Sequence, residues 1–244
     1  MSRFYYDLHT HSCLSPCADD DNTPNNIAGM ASISGLHIVA LTDHNSCKNC
    51  PAFFAAAERY GIIPVAGMEF TTSEDIHVVC LFENLADAMR FDEEIQKFRT
   101  LIKNRKDIFG EQQIMNESDE IIGYDEYMLS VATSVSIEDL PKLVGSFGGV
   151  CYPAHVDRES NGIIAILGTL PETPHFNLVE FRDSKNIKEY AEKYGITDKK
   201  TIISSDAHYL TDIKDCENYL ELDADADSKE DVIEKLFQYL RSEL

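Results

Sequence analysis

Short apolar runs alternate along this chain with longer polar stretches of helical period, and that alternation predicts strands and helices in turn. Phe4-Tyr5-Tyr6 belongs to a first strand, and Thr23-Pro24 opens a helix with an N-cap and a proline at its first position, closed by Gly35. Residues 36–41 are apolar and β-branched between Gly35 and Thr42-Asp43-His44-Asn45, the mark of a strand buried on both faces. Residues 51–60 read as an alanine-rich helix stopped by Gly61, followed by strands over 62–69 and 76–82 and by a helix from an Asn84 cap to about 104. Later strands fall at 150–155, 178–181 and 218–222, residues 201–208 deliver an acid and a histidine together, and helices fall at 136–147, 161–168 and 184–194. A last helix, capped at Ser228, carries Leu236, Phe237 and Leu240 on its buried face. This β-α-β-α order predicts an α/β fold with a parallel sheet. Residues 108–129 depart from it: they are polar, and 113–115 against 120–123 reads as a β-hairpin inserted between barrel units, expected to shape access rather than stability.

Composition narrows the picture. A length of 244 residues with 43% hydrophobic content suits one large domain over 1–244, the size of an α/β barrel. No apolar run approaches the ~20 residues of a membrane span. Met1-Ser2-Arg3-Phe4 lacks the apolar core of a secretory signal, so a cytoplasmic protein without a membrane partner is expected. Seven cysteines, an odd number, then argue for reduced thiols. Cys13 and Cys17, and Cys47 and Cys50 with zinc-site spacing, are better read as small buried or half-buried thiols. The net charge of −22, from 43 acids and 21 bases, speaks against a stable nucleic-acid complex. Small phosphorylated substrates stay open, because bound cations reverse the local field.

The candidate chemistry gathers at strand ends. In Asp7-Leu8-His9-Thr10-His11-Ser12, alternate side chains share one face of a strand, so His9 and His11 lie side by side with Asp7. His44, Glu69, His155, Asp206 and His208 fall at the ends of later strands, with His77 and the acidic loop 13–22 close by. A barrel brings its C-terminal strand ends into one cup. His37, at the other end of its strand, is therefore read as structural. Imidazole with carboxylate and no thiolate suits Mn, Zn or Fe, and the donors exceed what one ion uses, so roughly two or three divalent ions are expected.

Those stretches resemble the motifs of the PHP (polymerase and histidinol phosphatase) family of metal-dependent phosphoesterases. Asp7-Leu8-His9-Thr10-His11-Ser12, Thr42-Asp43-His44, Gly67-Met68-Glu69, Pro153-Ala154-His155 and Ser205-Asp206-Ala207-His208 are similar to its five motifs, in the family's order and over nearly the whole chain. The resemblance implies a distorted, TIM-barrel-like (β/α)7 barrel carrying the hairpin insertion. It also implies a trinuclear centre: His9, His11, Glu69 and Asp206 on one ion; Glu69 bridging to a second with His77 and His155; and His44, His208 and one loop acid on a third. Family members commonly have Ser-Asp-Gly there, whereas this chain has Leu14-Ser15-Pro16-Cys17-Ala18-Asp19-Asp20-Asp21. Counting back from Pro24 favours Asp19, with Asp20 as the alternative. The activity implied is hydrolysis of a small phosphate ester, such as a nucleotide or sugar phosphate. An oxygen bridging two ions would attack phosphorus in line, and His155, Asp206 or His208 would pass a proton to the leaving oxygen. Arg158, Arg182 and Lys48 follow the site segments closely enough to meet the phosphate, and Glu180 reads as a partner of a ligand rather than a ligand. The competing readings are a regulatory metal-binding module without turnover and a nuclease-type phosphodiesterase; nothing in the sequence speaks to oligomeric state.

Overall fold

The computed structural model describes residues 1–243. It opens with β1 (Ser2–Thr10), α1 (Pro24–Ile33), β2 (Ile38–Leu41), α2 (Cys50–Tyr60) and β3 (Ile63–Thr71). The Thr23 side chain caps α1 by accepting from Asn26 N, and Gly61, in the left-handed region at φ 71°, ends α2. β1, β2 and β3 pair in parallel.

The regular alternation then breaks. β4 (His77–Phe82) pairs antiparallel with β3, because the connection 72–76 is far too short for the dozen or more residues a parallel crossover needs. Two residues before Glu69, β3 and β4 approach so closely that a Cβ on Gly67 would sit 2.4 Å from the Cys80 carbonyl oxygen. α3 (Leu85–Ile95) gives way to a 3-10 turn ending at Phe98, well short of residue 104. The buried guanidinium of Arg99 leaves the helix path to grip Asp125 at 3.0 and 3.1 Å.

After α4 (Lys106–Phe109), β5 (Gln113–Met115) and β6 (Ile121–Tyr124) pair antiparallel. This segment is stitched into the body rather than laid upon it. Gln113 N donates to Cys13 O at 3.0 Å, Met115 N to Asn49 Oδ1 at 2.9 Å, and Leu129 N to the side chain of fully buried Gln112 at 2.9 Å. Removing it would strand those groups, so it contributes to stability and the expectation of a role in access alone is corrected.

α5 (Leu140–Gly145) leads to β7 (Val150–Pro153), antiparallel to β4, and α6 (Ile163–Leu167) to β8 (Leu178–Phe181). α7 (Ile187–Tyr194), β9 (Lys200–Ile203), β10 (Tyr219–Leu222) and α8 (Lys229–Arg241) follow. The strands form a curled six-stranded half-barrel, β10-β1-β2-β3-β4-β7, plus the parallel pair β8-β9. Val156 N on Glu180 O (2.8 Å) and His11 N on Ala207 O (2.9 Å) tie the exits of β7 and β1 to that pair. The result is a barrel-like α/β fold whose sheet is mixed rather than all parallel. Leu8, Val65, Val79 and Tyr152 fill its interior, and Leu236 and Phe237 of α8 pack into the same cluster, each such side chain contributing about 1.5–3 kcal/mol on burial. Among the described residues no helix is long and apolar enough to cross a membrane.

Candidate metal centre

Six imidazoles and two carboxylates meet at one end of this fold. Glu69 is at the middle: Oε1 lies 2.8 Å from His77 Nδ1, 2.9 Å from His155 Nε2 and 3.4 Å from His9 Nε2. Its Oε2 lies 2.9 Å from His44 Nδ1 and 3.5 Å from His11 Nε2. Asp206 Oδ1 is 3.3 Å from His11 Nε2 and 3.5 Å from His9 Nε2. His77 opens β4, yet it reaches the cup because β4 runs backwards and pairs it with Thr71 at the far end of β3. A register irregularity between Asp7 and Thr10 in the β1–β2 pairing accompanies the turn of His9 and His11 into the same space. His155 (φ 27°) and Asp206 (φ 52°) adopt left-handed backbone, a costly conformation for non-glycine residues that tends to gather at functional sites.

A surrounding set of hydrogen bonds aims the rings. Glu180 Oε1 sits 2.8 Å from His9 Nδ1 and accepts from His155 N at 3.1 Å, which turns His9 Nε2 toward Glu69. His11 Nδ1 meets Ser15 Oγ at 2.9 Å, and Ser15 Oγ donates to Asp43 Oδ1 at 2.7 Å. Asp43 and Ser15 were not singled out in the sequence; Asp43 stood beside His44 in its motif, and Ser15 carried no signal. Asp7, by contrast, accepts from His9 N and Ser205 N and stays outside the donor groups.

These donors fit divalent cations. The ring nitrogens of His9 and His11 face each other at 3.1 Å, and those of His77 and His155 at 3.3 Å. Glu69 Oε2, Asp206 Oδ1 and His44 Nδ1 are buried and have no hydrogen-bond partner, although oppositely polar atoms lie close by. Carboxylate oxygens and imidazole nitrogens that converge without donors between them are short of a cation. Three donor groups result, His9/His11/Glu69/Asp206, His44/Glu69/His77 and His11/His44/His208. The same groups also shift one another's affinity for protons. Burial disfavours charge on Glu69, but His77, His9 and His44 outweigh it and hold the carboxyl well below its usual range. Burial likewise works against Asp206, and His9 and His11 override it. His9 itself is raised well above the ordinary imidazole value: burial opposes its charge, and Glu180, Glu69 and Asp206 overcome that.

Asp19 lies outside these groups: its Oδ1 caps Asp21 N at 2.9 Å, while Asp20 Oδ1 accepts from Gln113 Nε2 at 2.8 Å. Cys17, from the same loop, does reach the cup, with Sγ 3.2 Å from His44 Nε2. Lys48 is bound to Asp125 at 2.6 Å in the pocket it shares with Arg99, so its expected place at a phosphate is corrected. Arg158 Nη1 pairs with Asp206 Oδ2 at 2.6 Å. It also lines a cavity of about 650 Å³ with Arg182, Lys185 and Lys214.

The PHP domain model matches residues 7–194, a span that holds the first four motifs. The chain belongs to the PHP family. Among similar solved structures is a lesion-specific endonuclease, Endonuclease Q of Pyrococcus furiosus, with a TM-score of 0.64 and 15% identity over 96% of this chain and 55% of that one. A putative metal-dependent phosphoesterase of Bifidobacterium adolescentis has a TM-score of 0.59 and 17% identity over 96% of both chains. In sequence, 104 residues are 29% identical to a 5'-3' exoribonuclease of Haemophilus influenzae, 41% of this PHP chain but only 34% of that enzyme. Family membership and a phosphoesterase fold together support a hydrolase. The expectation that nucleic acid is excluded is corrected here: Endonuclease Q, of the same fold, is seen with a 27-mer duplex substrate carrying an abasic lesion at its active site. Net charge counts the whole surface, whereas a bound substrate meets only a cleft and its cations.

Proposed function

We propose that the cup is the active centre of a cation-dependent phosphoesterase that cleaves a P–O ester. The observation that carries this reading is the pair of buried, unpartnered carboxylate oxygens on Glu69 and Asp206, set among six imidazoles and linked through Arg158 to a polar cavity. Roughly two or three Mn, Zn or Fe ions would neutralise phosphoryl charge there and generate a nucleophile from water at neutral pH. His9, His11, Glu69 and Asp206 hold one cation, and Glu69 with His77 and His155 a second. Arg158 takes a phosphoryl oxygen through its guanidinium, and Arg182 stands behind it in the cavity for the remainder of an anionic substrate. In this reading His155, Asp206 and His208 hold cations rather than carry protons: Asp206 Oδ1 faces the His11 and His9 nitrogens at 3.3 and 3.5 Å, His155 is fully enclosed, and His208 Nδ1 is engaged with Asp206 O at 2.8 Å.

A small phosphate ester such as a nucleotide or sugar phosphate fits a cavity of this size. The exoribonuclease relative and the duplex-bound endonuclease favour a second substrate class, a nucleic-acid strand, and the exoribonuclease favours its end. Phosphate or nucleotide release by protein reconstituted with manganese or zinc separates them. The panel comprises nucleoside monophosphates, sugar phosphates and 5'-phosphorylated DNA and RNA oligonucleotides. Turnover of at least one class that disappears with chelator is expected. No turnover of any class by protein shown to hold its ions would overturn the reading.

A further inference from the structure

The sequence put an aspartate beside His44 and His208; the folded loop puts a thiol there. Within 13–22 the backbone is pinned by Cys13 N on Asn22 O (2.9 Å), Ala18 N on Ser15 O (3.0 Å) and Asp19 N on His208 O (2.9 Å). Those bonds turn the Asp19 and Asp20 carboxylates onto Asp21 N and Gln113 and leave Cys17 facing the cup. Cys17 Sγ stands 3.2 Å from His44 Nε2, and the His208 ring lies 6.2 Å from that of His44 between centroids. His208 Nδ1 bonds to Asp206 O at 2.8 Å, so the ring's other nitrogen, Nε2, is the one free to act as a donor. His11, His44 and His208 already form a group whose donor atoms lie within 4.8 Å of one another, and it contains no carboxylate.

We propose that Cys17 Sγ, His44 Nε2 and His208 Nε2 form a third cation position in which a thiolate supplies the anionic ligand, beside two positions served by carboxylates. Two ligands of a tetrahedral zinc ion, at bond lengths of about 2.3 Å to sulfur and 2.0 Å to nitrogen, stand about 3.5 Å apart, within a few tenths of an ångström of the observed pair. Binding displaces the thiol proton to solvent and forms one metal–sulfur bond. A His2Cys set is softer than its neighbours, so this position selects zinc or ferrous iron where the carboxylate positions accept manganese. Because Cys17 is exposed at the mouth, the same thiol is open to alkylation and oxidation whenever the position is empty.

The inference rests on the reading of the cup as a cation centre, and the test separates the two. Wild-type protein is treated with iodoacetamide with and without zinc, and modification is read site by site by mass spectrometry. The other exposed thiol, Cys216, serves as internal control. Zinc is expected to slow alkylation of Cys17 at least ~10-fold while Cys216 is unaffected, since a coordinated thiolate is a poor nucleophile. Cobalt-loaded wild type is expected to show a sulfur-to-metal charge-transfer band that C17D lacks. C17D should keep the full metal count, while C17A loses one ion. Wild type that takes up zinc while Cys17 reacts at an unchanged rate, or C17A that keeps every ion, overturns this inference alone. Wild type that takes up no ion overturns the reading beneath it as well.

Discussion

His37 and His44 flank the same short strand, β2, and have opposite surroundings. His37 is exposed, its Nδ1 accepts from Tyr5 N at 2.9 Å, and its ring stacks on Tyr5 with centroids 5.6 Å apart. His44 is buried, with Nδ1 2.9 Å from Glu69 Oε2 but out of line for a hydrogen bond, and Nε2 against a thiol. One ring is engaged by the backbone N–H and the aromatic ring of Tyr5 on the neighbouring strand. The other is one of several donors that converge with nothing between them. Residue type is therefore a poor guide to role in this fold; what separates the structural histidine from the candidate ligands is whether the ring is set among other metal-type donors.

The sharpest way to break that contrast is at Glu69. Glu69→Gln keeps the size and one acceptor oxygen but removes the charge facing five of the rings. Phosphate release should fall at least ~100-fold, as misplacing a reacting group by about 1 Å can cost that much. A smaller effect is expected one layer out, where Glu180→Gln weakens the anchor on His9 Nδ1 and on His155 N. Metal titration should show affinity reduced by ~10–100-fold, the usual cost of losing such a partner. Arg158→Gln should leave the metal count unchanged and raise KM for a phosphate ester by about 10-fold, equivalent to about 1.4 kcal/mol for one charge-assisted contact. Steady-state kinetics alongside metal analysis checks both halves. His37→Gln should leave turnover within a few-fold of wild type. The lost stack and backbone contact, worth about 1 kcal/mol, should lower the melting temperature by about 2–4 °C in a scanning calorimeter.

Strand ends were legible in the sequence because the runs at 36–41, 62–69 and 150–155 are short, apolar and closed by a ligand-type residue, so His44, Glu69 and His155 could be placed at a common rim. Strand direction was less visible. A histidine at the beginning of β4 belongs in the cup only because that strand runs backwards, and the clue was the brevity of 72–76 rather than any property of His77. In the loop after His11, counting residues back from Pro24 pointed to Asp19, but turn hydrogen bonds decide which side chain faces inward, and they chose Cys17. Lys48 was drawn away by Asp125, a partner distant in sequence that no local pattern announces. The overall charge of −22 did not show that Arg158, Arg182, Lys185 and Lys214 gather around one cavity, where they share the wall with Asp157, Asp183 and Glu217.

The most direct test is an anomalous difference map from crystals grown with zinc or manganese. The account predicts more than one peak inside the cup, each at about 2.0–2.3 Å from its donors, including at least one bonded to Glu69, and none at His37. Protein shown to contain metal, with its peaks at Cys47 and Cys50 or at His37 and none within the cup, would contradict it.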